Sequence, residues 1–359
     1  MEKNNIKFNF INSRFVPDDT SKGLFLFLIF QTIVTLVYQM LYLLGFGVLT
    51  WLPDFFSVIL GLGFAGVVYS LCRARNIDFF YNIKIKKAPS VLQAIICLAI
   101  SLVCIFGLSA LTNLFLEFLY RMGYRSYSSD IVISNFTTYI FSVVTICVVP
   151  AFCEEVLFRG LICNGLKKIN AVVAVFGSAF LFMIMHGSPD QTVHQFILGI
   201  ILALAFLITN NLWVPILIHF FNNFIAVTFS YVAYGDSVAS DTTAEIYLGE
   251  YVIYALISAV VSIMILYLLL KLLSKFTKTT KTVDPVEVKS EVEKYNDRPI
   301  IYDGGQDANQ EGVAVSAEPI ILVPNNKFSG SGKAMLIISI VWLALDWFTA
   351  LINGFSGMY

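Results

Sequence analysis

The chain has 359 residues, of which 58% are hydrophobic, 15% aromatic and only 13% charged, and its mean hydropathy is +0.79. This charged share is about half of that in a soluble globular domain, which excludes a soluble enzyme, a disordered chain and a secreted disulfide scaffold. The 23 basic and 24 acidic residues nearly cancel, so the chain has no general attraction for nucleic acid. The composition therefore predicts an all-α, polytopic bundle of transmembrane helices.

Apolar runs along the chain are candidates for helices that cross the bilayer, each of which needs about 20 mostly apolar residues. Two of the runs, 170–186 and 193–209, are short, so we expect about eight to nine helices in all. The runs are 23–50, 54–72, 91–118, 138–166, 170–186, 193–209, 211–234, 249–273 and 335–353.

The basic residues indicate the orientation, because cytoplasmic segments of membrane proteins retain Lys and Arg. With the N-terminus in the cytoplasm, only Arg121 and Arg125 of the 23 basic residues fall outside. The predicted outer loop 235–248 has no basic residue, which agrees with this orientation. Residues 276–333 are rich in polar residues, Gly and Pro and have no helical or strand period, so we expect a flexible cytoplasmic linker there.

Ionisable side chains concentrate in the fourth apolar run, as Glu154, Glu155 and Arg159. Such groups are costly at membrane depth and are functional candidates by default. Arg159 lies one helical turn after Glu155, and a purely structural explanation is that it neutralises Glu155 for insertion. That explanation does not extend to Glu154, which is rotated by about 100° and has no basic residue one turn further on. Pro150 removes a backbone donor nearby and is expected to kink the helix.

The three histidines follow this run closely. At about 1.5 Å per residue, His186 lies about 24 Å and His219 about 13 Å from the cytoplasmic ends of their helices. Asn223 lies one turn beyond His219 on the same helix face. Neighbouring antiparallel helices would therefore bring His186, His219 and Asn223 to a common intramembrane site with Glu154. His194 follows a polar turn, and we interpret it as an interfacial residue outside that site.

Four short motifs occur in order within one hydrophobic stretch: EExxxR, FxxxH, a small-residue helix motif and HxxxN. In this order they resemble the CPBP family, which comprises the type II CAAX prenyl endopeptidases and bacterial relatives known as Abi or bacteriocin-processing proteases. The resemblance covers roughly residues 137–232. The motifs stand here as Glu154-Glu155-Val-Leu-Phe-Arg159, Phe182-Met-Ile-Met-His186, Phe196-Ile-Leu-Gly199 continuing to Ala203, and His219-Phe-Phe-Asn-Asn223.

The resemblance implies a division of labour among these side chains. Glu154 and His186 would activate a water molecule for attack on a scissile amide. His219 and Asn223 would stabilise the oxyanion or take part in binding a metal. The second glutamate and the arginine of the first motif would supply structural and electrostatic support.

Metal use stays open at this point. The chain has no HExxH motif, so a zincin arrangement is excluded. Glu154, His186 and His219 are the candidate ligands of a His₂Glu site for Zn²⁺, whereas a water activated by Glu and His without a metal fits the same residues. Gly199 and Ala203, one turn apart, would let helices pack closely around the site.

The leading hypothesis is an intramembrane endopeptidase of a bacterial cell membrane that cleaves a membrane-associated or hydrophobic peptide. The alternative is a non-catalytic membrane protein, either a transporter or a bacteriocin immunity or scaffolding partner, since intramembrane Glu and His also build proton relays.

Asp346, in the last apolar run, is expected to face the bundle. The predicted organisation is a cytoplasmic segment at 1–22, transmembrane helices at 23–130, a catalytic core of about four helices at 131–234, an outer loop and the following helix at 235–275, the linker at 276–333 and a last helix at 334–359.

Overall fold

In the computed structural model, the described residues are 14–49, 51–85, 88–125, 133, 135–236, 248–277 and 327–356. Their regular structure is entirely helical, which confirms the all-α class. Eight helices in this part of the chain are long and apolar enough to cross a membrane, and the protein is an integral membrane protein. We number the helices α1 (Pro17–Leu43), α2 (Leu52–Ala74), α3 (Phe79–Ile83), α4 (Val91–Arg121), α5 (Phe136–Leu166), α6 (Val173–Met185), α7 (Thr192–Thr209), α8 (Trp213–Asp236), α9 (Leu248–Phe276) and α10 (Gly330–Ser356).

Helix α1 begins at Pro17, earlier than the apolar run that starts at residue 23. Proline suits the first helical position, because its φ is already helical and an N–H there would have no intrahelical acceptor. The Asp19 carboxylate accepts a hydrogen bond from the backbone N–H of Val16 at 2.8 Å and pairs with Arg75, directly after α2. These partners allow the polar first turn of α1 to be buried, which the hydropathy of the sequence did not indicate.

The run at 170–186 forms the short helix α6, which is about 20 Å long at about 1.5 Å per residue and therefore shorter than the roughly 30 Å hydrocarbon core. Gly187 has a left-handed φ of 61° and ends this helix just after His186. Helix α7 returns directly and packs along α6. The two helices form a hairpin whose turn lies between His186 and His194.

Helix α5 carries the acidic pair and is not uniformly α-helical. Wider π-helical turns at Val143–Val148 and Val156–Cys163 flank an α-helical piece at Val149–Glu155. Pro150 lies in that piece and supplies no N–H to the preceding turn, and π-helical turns are one way in which a helix absorbs such a break. Glu154 and Glu155 therefore stand between two irregular turns, a setting that is frequent at functional sites.

The last helix, α10, packs along α1. Near its start, the backbone N–H of Ser329 donates to Oδ1 of Asp18 on α1 at 2.8 Å. Further along, the indole N–H of Trp347 donates to Oγ1 of Thr192 at 3.0 Å, at the beginning of α7. Although α10 lies outside the four motifs, it braces the α6–α7 hairpin.

The expectation that Asp346 faces the bundle is wrong, because its side chain is exposed. It borders an open groove on α10 together with Val341 and Leu345. The bundle side of the helix is instead occupied by Leu343, which is buried, and by Trp347. Composition alone does not tell which side of an apolar helix meets its neighbours.

Three predicted regions lie largely outside the described residues: the N-terminal segment up to residue 13, the outer loop over 237–247 and the linker over 278–326. Nothing in the fold therefore bears on the linker prediction.

All six cysteines are described, and they are buried and free of disulfides, as expected of small apolar side chains in a helix bundle.

Candidate active site

Glu155 and Arg159 form an ion pair inside the bundle. Nη1 of Arg159 donates to Oε1 of Glu155 at 2.8 Å, and neither side chain has any exposed surface. Their spacing of one turn on α5 directs both to the same side of the helix. Charges at such a position need a partner, because each one alone would lose its hydration without compensation.

Arg159 also links α5 to the α6–α7 hairpin. Its Nη2 donates to the backbone oxygen of Gly199 on α7 at 3.1 Å, and its guanidinium lies 4.5 Å from the ring centre of Phe182 on α6. Gly199 makes this possible by its small size, since a Cβ at this position would lie 2.9 Å from the Cα of Ala179 on α6. The absence of a side chain thus lets α7 approach α6 and brings its carbonyl within reach of Arg159.

His219 of α8 shares the Glu155 carboxylate. Its Nδ1 lies 2.9 Å from the same Oε1 that accepts the hydrogen bond from Arg159, and only 2% of the residue is exposed. Because that oxygen acts as an acceptor, Nδ1 of His219 carries the proton and Nε2 has the lone pair. Glu155 therefore fixes both the orientation and the tautomer of His219.

His186 lies directly after α6, and its Nδ1 is 2.7 Å from the backbone oxygen of Phe182, one turn earlier. A carbonyl oxygen only accepts, so here too Nδ1 carries the proton and Nε2 has the lone pair. The Phe182 ring contacts both imidazoles edge-on, with centroid distances of 4.8 Å to His186 and 5.7 Å to His219. The two histidines also interact electrostatically.

The Glu154 side chain is half-buried, and its carboxylate differs from that of Glu155 in its hydrogen-bond partners. Its Oε2 is buried and, within the described residues, has no hydrogen-bond partner. The carboxylate interacts electrostatically with His219 and, at lesser strength, with Arg159. Glu154 is therefore within electrostatic range of His219, and no hydrogen bond to a described residue ties its buried oxygen to a structural role.

Asn223 lies one turn after His219 on α8 and reaches across to α5. Its Nδ2 donates to the backbone oxygen of Ile146 at 2.9 Å. Ile146 lies in the π-helical stretch Val143–Val148 that precedes Pro150. The Asn223 amide therefore ties α8 to the irregular part of α5.

Two further polar residues of the site, His194 and Asn222, were not predicted as members. Nδ2 of Asn222 lies 3.4 Å from Nε2 of His194 and 3.4 Å from Oδ1 of Asn223. His194 also interacts electrostatically with His219, so all three histidines of the chain lie in one region. Their closeness in the sequence was a usable signal, but only the tight α6–α7 hairpin brings the first turn of α7 to this region.

The side chains described in this section all lie between residues 136 and 225, and this segment matches the family model described as type II CAAX prenyl endopeptidase Rce1-like. Residues 136–225 form an Rce1-like segment. The predicted family resemblance is thereby confirmed for this part of the chain. No curated protein and no solved structure matches the chain significantly.

The Rce1-like segment comprises α5, α6, α7 and the first half of α8. Such a segment supports a CAAX-type membrane endopeptidase in general terms. The helices before and after it lie outside the match, although α10 contacts the segment through Trp347.

The Rce1-like segment does not present a ready site for zinc. Among the residues that the structure describes, no three His, Cys, Asp or Glu side chains are grouped so that they could hold one metal ion. A catalytic zinc site needs three protein ligands at about 2.0–2.2 Å from the metal. The set of Glu154, His186 and His219 does not fit this requirement in the present arrangement.

Proposed function

We propose that the protein is an intramembrane endopeptidase that hydrolyses a peptide bond in a membrane-associated or hydrophobic peptide, using a water activated by Glu154 and His186. The observation that carries the proposal is the Glu154 carboxylate, whose Oε2 is buried and unpaired among the described residues beside His219. A carboxylate that only stabilised the bundle would be expected to have a partner, as Glu155 has in Arg159.

In the proposed reaction, the water donates a hydrogen bond to Nε2 of His186 and gives its other proton to Glu154 as its oxygen attacks the carbonyl carbon. The peptide oxygen then carries the negative charge of the tetrahedral intermediate. The second N–H of the Asn223 amide would donate to this oxygen, and so would His219 when protonated at Nε2. Breaking of the C–N bond transfers the proton held by Glu154 to the departing amine and leaves a carboxylic acid on the other product. The hydroxyl proton of this acid, which came from the water, passes through Nε2 of His186 to the amine and gives a carboxylate and an ammonium group.

Glu155 and Arg159 have a supporting role in this proposal. Glu155 accepts the Nδ1 proton of His219 and would balance the charge of the ring when Nε2 is also protonated. Arg159 keeps Glu155 charged and in place, and holds α7 through the carbonyl of Gly199. Neither residue is expected to touch the substrate.

The test is cleavage of an internally quenched, farnesylated CAAX peptide by the full chain in proteoliposomes, with the unprenylated peptide of the same sequence in parallel. We expect Glu154→Gln, His186→Ala and His219→Ala to lower kcat by about 10²- to 10⁴-fold. Glu117→Gln is a matched control, because Glu117 is an exposed carboxylate of α4 paired with Arg121. Full activity of Glu154→Gln and His186→Ala would refute the mechanism, whereas absence of cleavage by the unaltered protein would favour a scaffold or transporter.

The catalytic type is tested by chelation. A water activated by Glu154 and His186 alone predicts that cleavage persists after treatment with a strong chelator. Loss of cleavage that Zn²⁺ restores would contradict the metal-free reaction and favour a zinc enzyme.

We further propose a bacterial cell membrane as the location. The distribution of the basic residues supports an N-terminus on the cytoplasmic side.

A further inference from the structure

A chain of side-chain contacts leads from α7 to the Asn223 amide. It uses His194, which lies outside the four motifs, and Asn222, a variable position of the last motif. His194 lies in the first turn of α7 and contacts Asn222 of α8 through Nε2, at 3.4 Å from Nδ2. Nδ2 of Asn222 lies at the same distance, 3.4 Å, from Oδ1 of Asn223. Asn222 is 4% exposed, so these contacts are shielded from competing polar groups outside the bundle.

The donors and acceptors of this chain define one orientation of the Asn222 amide. A carboxamide nitrogen has two N–H groups, and here both face acceptors, one on His194 and one on Asn223. The opposite flip would direct Oδ1 of Asn222 at the oxygen of Asn223, where two acceptors would repel each other. The orientation has a cost, since Oδ1 of Asn222 is buried without a hydrogen-bond partner among the described residues.

The Asn223 amide is consequently held at both ends. Its nitrogen donates to the backbone oxygen of Ile146 on α5, and its oxygen faces the nitrogen of Asn222. One N–H of Asn223 remains for another acceptor. An amide fixed in this way cannot flip its oxygen towards the place of its nitrogen without breaking both contacts.

We propose that His194 and Asn222 are positioning residues that fix the Asn223 amide so that its remaining N–H faces the carbonyl oxygen of the substrate. The inference rests on the proposed function of Asn223 as a donor to the oxyanion. His194 acts as a hydrogen-bond acceptor in this role and does not touch the substrate. It therefore contributes only through Asn222 and Asn223.

The expected kinetic signature is a lower kcat at an unchanged KM, because a misaligned donor weakens binding of the oxyanion and leaves binding of the ground state alone. We expect His194→Leu and Asn222→Asp to lower kcat by about tenfold, less than the 10²- to 10³-fold loss that removal of an oxyanion donor by Asn223→Ala would cause. His194→Gln should recover most of the loss, since its side-chain oxygen also accepts from Asn222.

A double-mutant cycle in proteoliposomes, with the farnesylated CAAX peptide as probe, tests whether His194 acts through Asn223. His194→Leu should have no further effect on kcat in the Asn223→Ala background, whereas a residue that only stabilised the bundle would lower activity by the same factor in both backgrounds. Equal factors, or a His194→Gln variant as impaired as His194→Leu, would overturn the inference. Activities are expressed per folded protein, measured by thermal unfolding in detergent micelles.

The ¹⁵N imidazole spectrum tests the same contact without any activity. The chain has three histidines, so each resonance can be assigned by single substitution. Nε2 of His194 should appear as an unprotonated, hydrogen-bonded nitrogen, and its resonance should shift in Asn222→Asp. A protonated Nε2, or no shift, would overturn the inference even if the protein cleaved the peptide. Conversely, an active Glu154→Gln variant would refute the proposed function and leave this contact to be judged by the spectrum.

Discussion

Replacement of Arg159 by methionine removes the cation from a carboxylate that has no access to solvent. Glu155 would keep its contact with His219 and lose the hydrogen bond from Arg159, which is 2.8 Å long. Removal of one partner from a buried ion pair costs about 3–5 kcal/mol, because the remaining charge is left buried and uncompensated. The lost contacts to Gly199 and Phe182 place the expected value in the upper part of this range.

Removal of both charges should cost less than removal of the arginine alone. The Glu155→Gln/Arg159→Met double variant has no uncompensated charge, so we expect it to regain about 1–3 kcal/mol relative to Arg159→Met. The matched control is the pair Glu117 and Arg121 at the end of α4, which has the same one-turn spacing and a 2.7 Å contact but is 41% and 60% exposed. The same substitutions there should change the free energy of unfolding by about 0–1 kcal/mol.

The assay is unfolding in mixed micelles by titration with a denaturing detergent, followed by tryptophan fluorescence and circular dichroism. Four variants of each pair complete the two cycles. If the double variant at the buried site is as unstable as the two single losses added together, the charges do not depend on each other and the reasoning is wrong. Equal coupling at the buried and exposed pairs would also contradict it, since burial is the reason given for the larger coupling.

Three further predictions follow from the packing, the tautomers and the charge distribution. Gly199→Ala should destabilise the protein by about 1–3 kcal/mol, because its Cβ would collide with Ala179, whereas Gly66→Ala, with open space around it, should be neutral or stabilising in the same unfolding titration. All three imidazoles should be protonated at Nδ1 when neutral, because Nδ1 of His186 and of His219 faces an acceptor and Nε2 of His194 faces the Asn222 amide; a ¹⁵N spectrum with a protonated Nε2 in the resting protein would contradict these contacts. A single cysteine introduced in 237–247 should react with a membrane-impermeant maleimide from outside the cell, because that segment has no basic residue; labelling only after lysis would reverse the predicted orientation.

The membrane class and the approximate positions of the helices follow from the sequence, because the need to satisfy the backbone inside a bilayer makes long apolar runs helical. The ends of those helices do not follow from hydropathy. Asp19 is buried in the first turn of α1, where it accepts from the nearby N–H of Val16 and pairs with Arg75, and the pairing with Arg75 arises only when α1 and α2 have packed. The exposed position of Asp346 has the same origin, since an apolar helix shows no amphipathic side that would indicate which of its faces meets α1.

The residues of the candidate site could also be predicted from the sequence. Glu154, Glu155 and the histidines are rare polar groups in an apolar chain and follow motifs of a known family. The sequence by itself determined which residues are available for chemistry, and helical spacing determined that Glu155 and Arg159 share one face. Only the tertiary structure decided that His219 forms a hydrogen bond with Glu155, that Asn223 donates to the carbonyl of Ile146, and that His194 joins the site through Asn222. The physical reason is that hydrogen bonds require distances near 3 Å and a definite direction, and these are set by how four helices pack and not by the order of residues along any one of them.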